Sequence, residues 1–200
     1  METAKIRILK KAEAHVITEM SRNDPAHDGA HVERVVALTR KLCTTEPTAD
    51  PYRTELLAWI HDLSDDKLQT NRDMGSLEQL LRELGVEAGD IEFLMGSVGY
   101  ISFRKYPKSP EGLPIEVLIV RDADRIDAMG AMGIGRTFAY GGAKGRPMEE
   151  SIAHFEEKLL HLYDLLSTQG AKTLALPRHK LLTEFYRAYK EEQAIIHKIP

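Results

Sequence analysis

Long hydrophobic runs, cysteine and an excess of basic charge are all missing or scarce in this sequence of 200 residues. No apolar stretch approaches the roughly 20 residues that a membrane-spanning helix needs, so we expect no membrane association. The single cysteine, Cys43, excludes an internal disulfide and a cysteine-based zinc site, and we expect it to be a small buried thiol. The net charge of −4 argues against a broad basic surface for nucleic acid.

The start of the chain also lacks the pattern of a secretory signal, although Lys5, Arg7, Lys10 and Lys11 leave a short amphipathic targeting segment as an alternative. Residues 1–11 are polar and of mixed charge, without the apolar centre of a secretory signal. The cytoplasm is therefore the expected location. Apolar residues make up 42% and charged residues 29%, which is typical of a globular protein, and the length suits one domain with a sizeable core.

Apolar residues recur at helical spacing along most of the chain. The spacing predicts a first helix ending near Asn23, and a short helix with Ser76 as its N-cap and Gln79 as the capping-box partner. Glycines are expected to interrupt the stretch 133–145. The other predicted helices cover about 32–42, 52–60, 88–98, 115–131 and 147–166, with a last one starting near 177. The expected fold class is all-α, a single-domain helical bundle.

Three polar side chains break the apolar pattern of two predicted helices. His31 is followed at helical spacing by apolar residues such as Val35, so its imidazole shares a face with a hydrophobic stripe. His61 and Asp62 follow directly on the apolar residues 57–60. A lone histidine on an apolar face is more often a hydrogen-bonded core residue than a ligand. The combination across several helices favours a metal site.

A third predicted helix carries carboxylates in the same setting. Asp122 and Asp124 follow the apolar residues 117–120. An unpaired carboxylate there would cost several kcal/mol, so each needs a partner. One divalent cation would satisfy the whole set, because imidazole nitrogen and carboxylate oxygen both bind Mn²⁺, Fe²⁺ or Zn²⁺. Periodicity leaves open which aspartate is the ligand, since Asp122 shares the stripe of Leu118 and Ile126.

The sequence resembles the HD superfamily of phosphohydrolases, whose pattern is a His, then a His-Asp pair, then a distant Asp. The matching stretches are HVERV, LLAWIHDL and VRDADRIDAMGAMG. The resemblance implies that the metal ligands are His31, His61, Asp62 and Asp124. It selects Asp124 over Asp122, which would instead hold a ligand or an arginine in place.

Further stretches resemble the bacterial YedJ/YpgQ-like subgroup of small HD nucleotide pyrophosphohydrolases: RTFAYGGAKGRPM, SIAHFEEKLLHLYDLL and RHKLLTEF. The resemblance implies a single HD domain over 1–200, with a metal-site core at about 27–130 completed by C-terminal helices at about 147–195. It also implies cleavage of nucleoside triphosphates, including deoxynucleotides, into monophosphate and pyrophosphate. The alternatives are a 5′-nucleotidase, a phosphodiesterase, or a non-catalytic nucleotide-binding HD module.

The spacing of the histidines bears on the number of metal ions. HD proteins with two metals recruit additional histidines after the His-Asp pair, and this sequence has none between His61 and His154. We expect one divalent ion per chain, with Mn²⁺ as first choice and Mg²⁺, Fe²⁺, Co²⁺ or Zn²⁺ as alternatives. His27 precedes His31 by four residues, and a role at the helix start or in substrate contact is expected. His154 and His161 are assigned no chemistry.

An acidic turn follows the His-Asp pair. Asp65 lies four residues after His61 and three after Asp62, so a continued helix would bring its carboxylate to the metal side. The resemblance implies that an acidic residue at this offset positions the attacking water. Asp65 is the candidate catalytic residue and Asp66 the alternative. A solvated turn without function is the competing interpretation.

A triphosphate substrate requires cations near the carboxylates. The candidates are Lys67, Arg125, Lys144 and Arg146, each of which taken singly is equally an ordinary surface charge. Lys144 and Arg146 lie in the glycine-rich stretch, where we expect backbone N–H groups to approach phosphates. The spacing of the glycines is not that of a P-loop. The expected partner is a small-molecule nucleotide, and the apolar C-terminal helices leave a homodimer open.

Overall fold

Nine α-helices occupy the part of the chain that the computed structural model describes, which is residues 2–20, 29–63, 74–103 and 105–196. These ranges contain no strand, which confirms the all-α class. The same ranges also contain two single-turn 3₁₀ helices, Val98–Tyr100 and Leu159–His161. The helices are α1 (Glu2–Met20), α2 (Gly29–Cys43), α3 (Pro51–Ile60), α4 (Met74–Leu84), α5 (Ala88–Ser97), α6 (Ile115–Asp127), α7 (Gly130–Ala143), α8 (Met148–Glu157) and α9 (Gln169–Ile196).

Helices α2, α3 and α6 pack against one another at the centre of the described structure. Helix α1 covers α2 and α3 on one side, and α9 joins α6 to α7 on the other. Helix α3 is buried nearly all round, since Leu56, Leu57 and Ile60 are inaccessible to solvent. Burying each such side chain stabilises the fold by about 1.5–3 kcal/mol. The polar residues that follow α3 are therefore held by a rigid element.

The start of α3 follows from three consecutive residues. The Asp50 carboxylate accepts hydrogen bonds from the backbone N–H groups of Tyr52 and Arg53, and Pro51 occupies the first helical position. Ten residues later the helix ends at Ile60. This register places the His-Asp pair directly after the last buried turn.

The glycines of 133–145 do not interrupt a helix, and that prediction was wrong. Four of them lie inside α7, and the turn between α7 and α8 comprises only the four residues from Lys144 to Pro147. The glycines allow close packing instead. A Cβ atom on Gly133 would lie 2.1 Å from the Ala128 carbonyl oxygen. The turn does not supply the expected glycine-rich loop of free backbone N–H groups, because the N–H groups of Lys144, Gly145 and Arg146 each donate to a carbonyl oxygen of α7.

The C-terminal helices also differ from the prediction. The helix predicted over 147–166 ends at Glu157, because Lys158 leaves the helical conformation at φ −137° and ψ −59°. The helix predicted from 177 begins at Gln169 and contains Pro177. Its start is fixed by Thr168, whose hydroxyl accepts a hydrogen bond from the backbone N–H of Ala171. This cap, rather than Pro177, therefore determines where α9 begins.

Two other boundaries were misplaced. The helix predicted to run to 131 breaks after α6, because Gly130 takes a φ of +67°. Ser76 is not an N-cap, since α4 already includes Met74, and Gln79 hydrogen-bonds Glu83 at 2.9 Å rather than the helix start. The predicted end of the first helix near Asn23 lies outside the described residues.

Candidate metal centre

Three packed helices bring the predicted ligands together. His31 lies on α2, His61 and Asp62 follow α3, and Asp124 lies on α6. Nε2 of His31 is 3.4 Å from Oδ2 of Asp62 and 3.5 Å from Oδ1 of Asp124. One ligand atom from each of His31, His61 and Asp62 lies within 4.8 Å of the others. Residues separated by 93 positions in sequence thus form one cluster, with Asp124 at its more exposed edge.

The His61 ring has one satisfied and one orphaned nitrogen. Nδ1 donates a hydrogen bond to the Ala58 carbonyl oxygen at 2.7 Å, so Nε2 carries the lone pair. Nε2 is buried and has no hydrogen-bond partner among the described residues. It lies 3.3 Å from Oδ1 of Asp62, an oxygen that also carries only lone pairs. With the ring neutral, these two acceptors face each other in a mostly buried site, and a metal ion between them would offset their repulsion.

The separations of the donor atoms fit a divalent metal ion. Ligand atoms at about 2.1 Å from one ion are about 3.0–3.4 Å apart in octahedral or tetrahedral arrangements. The Nε2–carboxylate distances of 3.3, 3.4 and 3.5 Å match that spacing. Two imidazoles with carboxylates also suit transition metals better than Ca²⁺, which prefers oxygen alone.

A fifth side chain, Asp127, lies behind His31. Nδ1 of His31 donates to Oδ2 of Asp127 at 2.8 Å, and Arg34 donates to both carboxylate oxygens, at 2.7 and 3.2 Å. Arg136 donates to Oδ2 as well. Burial by itself would lower the pKa of His31, but hydrogen bonds to Asp127 and Asp62 raise that pKa from 6.5 to about 9. Burial opposes ionisation of Asp127, yet hydrogen bonds from His31 and Arg34 hold the pKa of its carboxyl well below the ordinary value.

Asp122 points away from the ligand cluster. Its carboxylate accepts hydrogen bonds from the backbone N–H groups of Ser167 and Thr168 and from the Thr168 hydroxyl, at 2.8 to 3.1 Å. It also lies 3.8 Å from Arg125. The aspartate thus anchors the start of α9 and faces an arginine, while Asp124 is the one beside His31.

The ligand cluster opens into a cavity of about 590 Å³. Its lining includes the carboxylates of Asp62 and Asp124. The rest of the lining is rich in cations and in groups that donate hydrogen bonds. These are Lys105, Arg125, Arg136, Thr137, Tyr140, Arg146, Ser151, His154 and Lys158. The cavity is therefore lined by predicted metal ligands and by cationic side chains, together with apolar side chains such as Phe103 and Leu162.

The predicted substrate cations fall into different positions. Arg125 lines the cavity, but it is buried and donates to the carbonyls of Leu165 and Pro107. Arg146 also lines the cavity, with its guanidinium carbon 5.0 Å from the centre of the Tyr140 ring. Lys144 packs over the same ring at 5.6 Å and is exposed.

Four residues discussed from the sequence lie outside the described residues. They are His27, Asp65, Asp66 and Lys67, so their assignments stay predictions.

Sequence reasoning missed the residues that surround the ligands. Asp127 was not singled out, although it follows Asp124 by three residues and so lies one helical turn further along the same face. That spacing was the available signal. No comparable sequence signal marks Arg136, Lys105 or Lys158, because a single cation in a polar stretch cannot be told from an ordinary surface charge.

Comparison with known proteins places these features in a family. No protein-family model matches the chain. The protein YpgQ of Bacillus subtilis, itself uncharacterized, is 35% identical over 195 residues, which cover 92% of this chain and 94% of YpgQ. The chain belongs to the YpgQ-like HD-domain family. A crystal structure of B. subtilis YpgQ in complex with ADP matches with a TM-score of 0.81 at 30% identity, covering 94% of this chain and 96% of that one.

A second solved member of the HD superfamily extends the match. An HD-superfamily hydrolase from Bacillus thuringiensis is 32% identical, with a TM-score of 0.76, covering 95% of this chain and 98% of its own. As a YpgQ-like HD-domain protein the chain is a metal-dependent phosphohydrolase. In the described ranges, none of the helices combines the length and apolar character that crossing a bilayer demands.

Proposed function

We propose that this phosphohydrolase cleaves nucleoside triphosphates, including deoxynucleotides, into monophosphate and pyrophosphate. The observation that carries the proposal is the cavity of about 590 Å³, whose lining includes both the metal ligands and the cations Lys105, Arg136, Arg146 and Lys158. The ADP held by B. subtilis YpgQ in its crystal structure supports a nucleotide as the ligand class. A small-molecule pocket of this volume suits a nucleotide.

Charge balance favours a polyphosphate over an uncharged substrate. Asp62 and Asp124 bring negative charge to the metal end, and a bound divalent ion offsets it. Arg136, Arg146 and Lys158 line the remaining wall, where anionic phosphoryl groups form charge-assisted hydrogen bonds. An uncharged substrate would form none of these charge-assisted hydrogen bonds.

One metal ion per chain would be held by His31, His61, Asp62 and Asp124, with Mn²⁺ as the first choice. Such an ion supplies Lewis acidity, which stabilises charge on a phosphoryl oxygen and acidifies water. Asp65 is the proposed group that orients the attacking water, and it lies outside the described residues. Cytoplasmic location, a single domain and a homodimer stay predictions.

Product analysis tests the proposal. The protein is stripped with chelator, reloaded separately with Mn²⁺, Mg²⁺, Fe²⁺, Co²⁺ or Zn²⁺, and assayed on nucleoside mono-, di- and triphosphates and on a cyclic dinucleotide. Pyrophosphate released from triphosphates is the expected result. Orthophosphate from monophosphates would instead favour a 5′-nucleotidase, and cleavage of the cyclic dinucleotide a phosphodiesterase.

A pair of aspartate variants tests the site. Asp62→Ala removes a predicted ligand, whereas Asp164→Ala changes an exposed aspartate that does not line the cavity. We expect Asp62→Ala to lose bound metal and at least about 10³-fold in kcat/KM, and Asp164→Ala to keep both. Unchanged metal content in Asp62→Ala would contradict the metal centre itself.

A further inference from the structure

We infer that Asp127 is a positioning residue for His31, holding the imidazole in the orientation and proton arrangement that direct Nε2 at the metal. Arg34 and Arg136 hold the Asp127 carboxylate in place. The inference rests on the proposed metal centre and concerns a residue that touches neither metal nor substrate.

The donors and acceptors around Asp127 leave one consistent arrangement. Oδ1 accepts from Nε of Arg34 at 2.7 Å, and Oδ2 accepts from Nη2 of Arg34 at 3.2 Å and from Arg136. A guanidinium only donates, so the carboxylate must accept at both oxygens and carries no proton. The remaining contact, Nδ1 of His31 at 2.8 Å from Oδ2, therefore has its proton on the ring nitrogen. A histidine binds a metal ion as the neutral ring, and in that form a proton on Nδ1 leaves the lone pair on Nε2.

The two histidines of the cluster are fixed in the same form by different means. Nδ1 of His61 donates to the backbone carbonyl of Ala58, which no side-chain substitution removes. Nδ1 of His31 depends on the Asp127 side chain. A change at Asp127 therefore releases one imidazole and leaves the other in place.

The positions of these residues on the helices make the arrangement rigid. Helix α6 carries Asp124 and, three residues on, Asp127, while α2 carries His31 and, three residues on, Arg34. Each helix thus contributes one predicted metal ligand and one residue of the hydrogen-bonded group behind His31. Arg136 adds a donor from α7 to that group. Asp127 has 1% of its surface exposed, so water does not compete for its lone pairs.

The test compares two buried aspartates that each bind an arginine. Asp127→Ala removes the acceptor for His31, and Asp90→Ala removes the carboxylate that Arg53 binds at 2.7 Å. Asp90 is 6% exposed and does not line the metal cavity, so it controls for the loss of a buried ion pair. The measurements are the Zn²⁺ dissociation constant by chelator competition, and ¹⁵N NMR of the histidine side chains in the Zn²⁺-loaded protein.

We expect Asp127→Ala to weaken Zn²⁺ binding by about 10–100-fold. The Nδ1–H resonance of His31, assigned by its absence in His31→Gln, should broaden or disappear. Asp90→Ala should keep both properties of the wild type. Asp127→Asn should lose less affinity than Asp127→Ala, because the amide oxygen can still accept from Nδ1.

Two results would overturn the positioning role. One is a folded Asp127→Ala protein with wild-type Zn²⁺ affinity and an intact His31 Nδ1–H resonance. Where Asp127→Ala does not fold, the same result in Asp127→Leu, whose side chain fills the space without accepting a hydrogen bond, is the contradicting one. A wild-type protein that binds Zn²⁺ tightly but hydrolyses no nucleotide overturns the proposed function alone, so the two failures are distinguishable.

Discussion

At the scale of single residues, two aspartates close together on one helix have opposite surroundings. Asp122 and Asp124 are two positions apart on α6, which turns their side chains about 200° from each other. Asp124 consequently lies beside His31, and Asp122 accepts hydrogen bonds at the start of α9. A metal ligand and a structural anchor are thus separated by helix geometry alone.

Two asparagine substitutions test the different roles of Asp122 and Asp124. In metal-free protein, Asp122→Asn should lower the free energy of unfolding by about 1–3 kcal/mol, because an amide NH2 replaces one of the two accepting oxygens and Arg125 loses its counter-charge. Its Zn²⁺ affinity should stay near wild type. Asp124→Asn should reduce Zn²⁺ affinity at least about tenfold, with little change in unfolding free energy. Urea denaturation and chelator competition measure the two quantities, and the reverse pattern would make Asp122 the ligand.

The single cysteine provides a pH-dependent prediction. Cys43 is half-buried rather than fully buried. Burial raises the pKa of its thiol above the ordinary value, and the nearby Glu116 carboxylate adds to the rise. Only the thiolate reacts with disulfide reagents, so the reaction should be slow at pH 7 and accelerate about tenfold per pH unit up to pH 9. Absorbance of a thiol-reactive dye measures the rate, with guanidinium-unfolded protein as reference, and a plateau below pH 8 would contradict the raised pKa.

At the scale of secondary-structure elements, α7 depends on glycine for contact with its neighbours. Gly133 packs against the Ala128 carbonyl, and Gly141 against the Ser151 hydroxyl, where a Cβ atom would come within 2.3 Å. A Cβ atom on Gly135 would meet no described atom within 4 Å apart from the adjacent backbone of its own helix. Glycine is thus needed for close packing at two positions of α7, while at Gly135 there is space for a side chain.

Alanine substitutions test this difference. Gly133→Ala should destabilise the protein by about 2–4 kcal/mol, because the new methyl group meets backbone that cannot move aside. Gly135→Ala should stabilise it by about 0.5–1 kcal/mol, since alanine loses less backbone entropy in a helix. Urea denaturation of both variants against wild type gives the two differences. Equal effects of one sign would contradict the packing around Gly133.

At the scale of the whole molecule, the proposed ligands join the three central helices. Metal binding should therefore stabilise the native state as a unit. At a metal concentration 100 times the Kd, the expected gain is about 2.7 kcal/mol, equivalent to a Tm increase of about 5–10 °C for a chain of this size. Calorimetry with and without Zn²⁺ measures it. His61→Ala should abolish the increase, and a shift that persists in that variant would place the ion elsewhere.

The sequence by itself determined the helical class and the polar residues that the core could not tolerate unpaired. His31, His61 and Asp62 were found because each interrupts an apolar pattern, which is a local signal. Family resemblance then supplied the choice of Asp124. The boundaries of the C-terminal helices were misjudged, because the cap at Thr168 depends on Asp122, a residue 46 positions away.

Only the tertiary structure decided which groups stand behind the ligands and which face the cavity. Asp127 binds His31 across 96 positions of sequence, and the buried guanidinium of Arg125 donates to two distant backbone carbonyls. Such partners leave no periodic trace, because a charged residue is equally compatible with solvent and with a buried ion pair. Helix packing brings the donors and acceptors together, and only their distances tell a surface charge from part of the site.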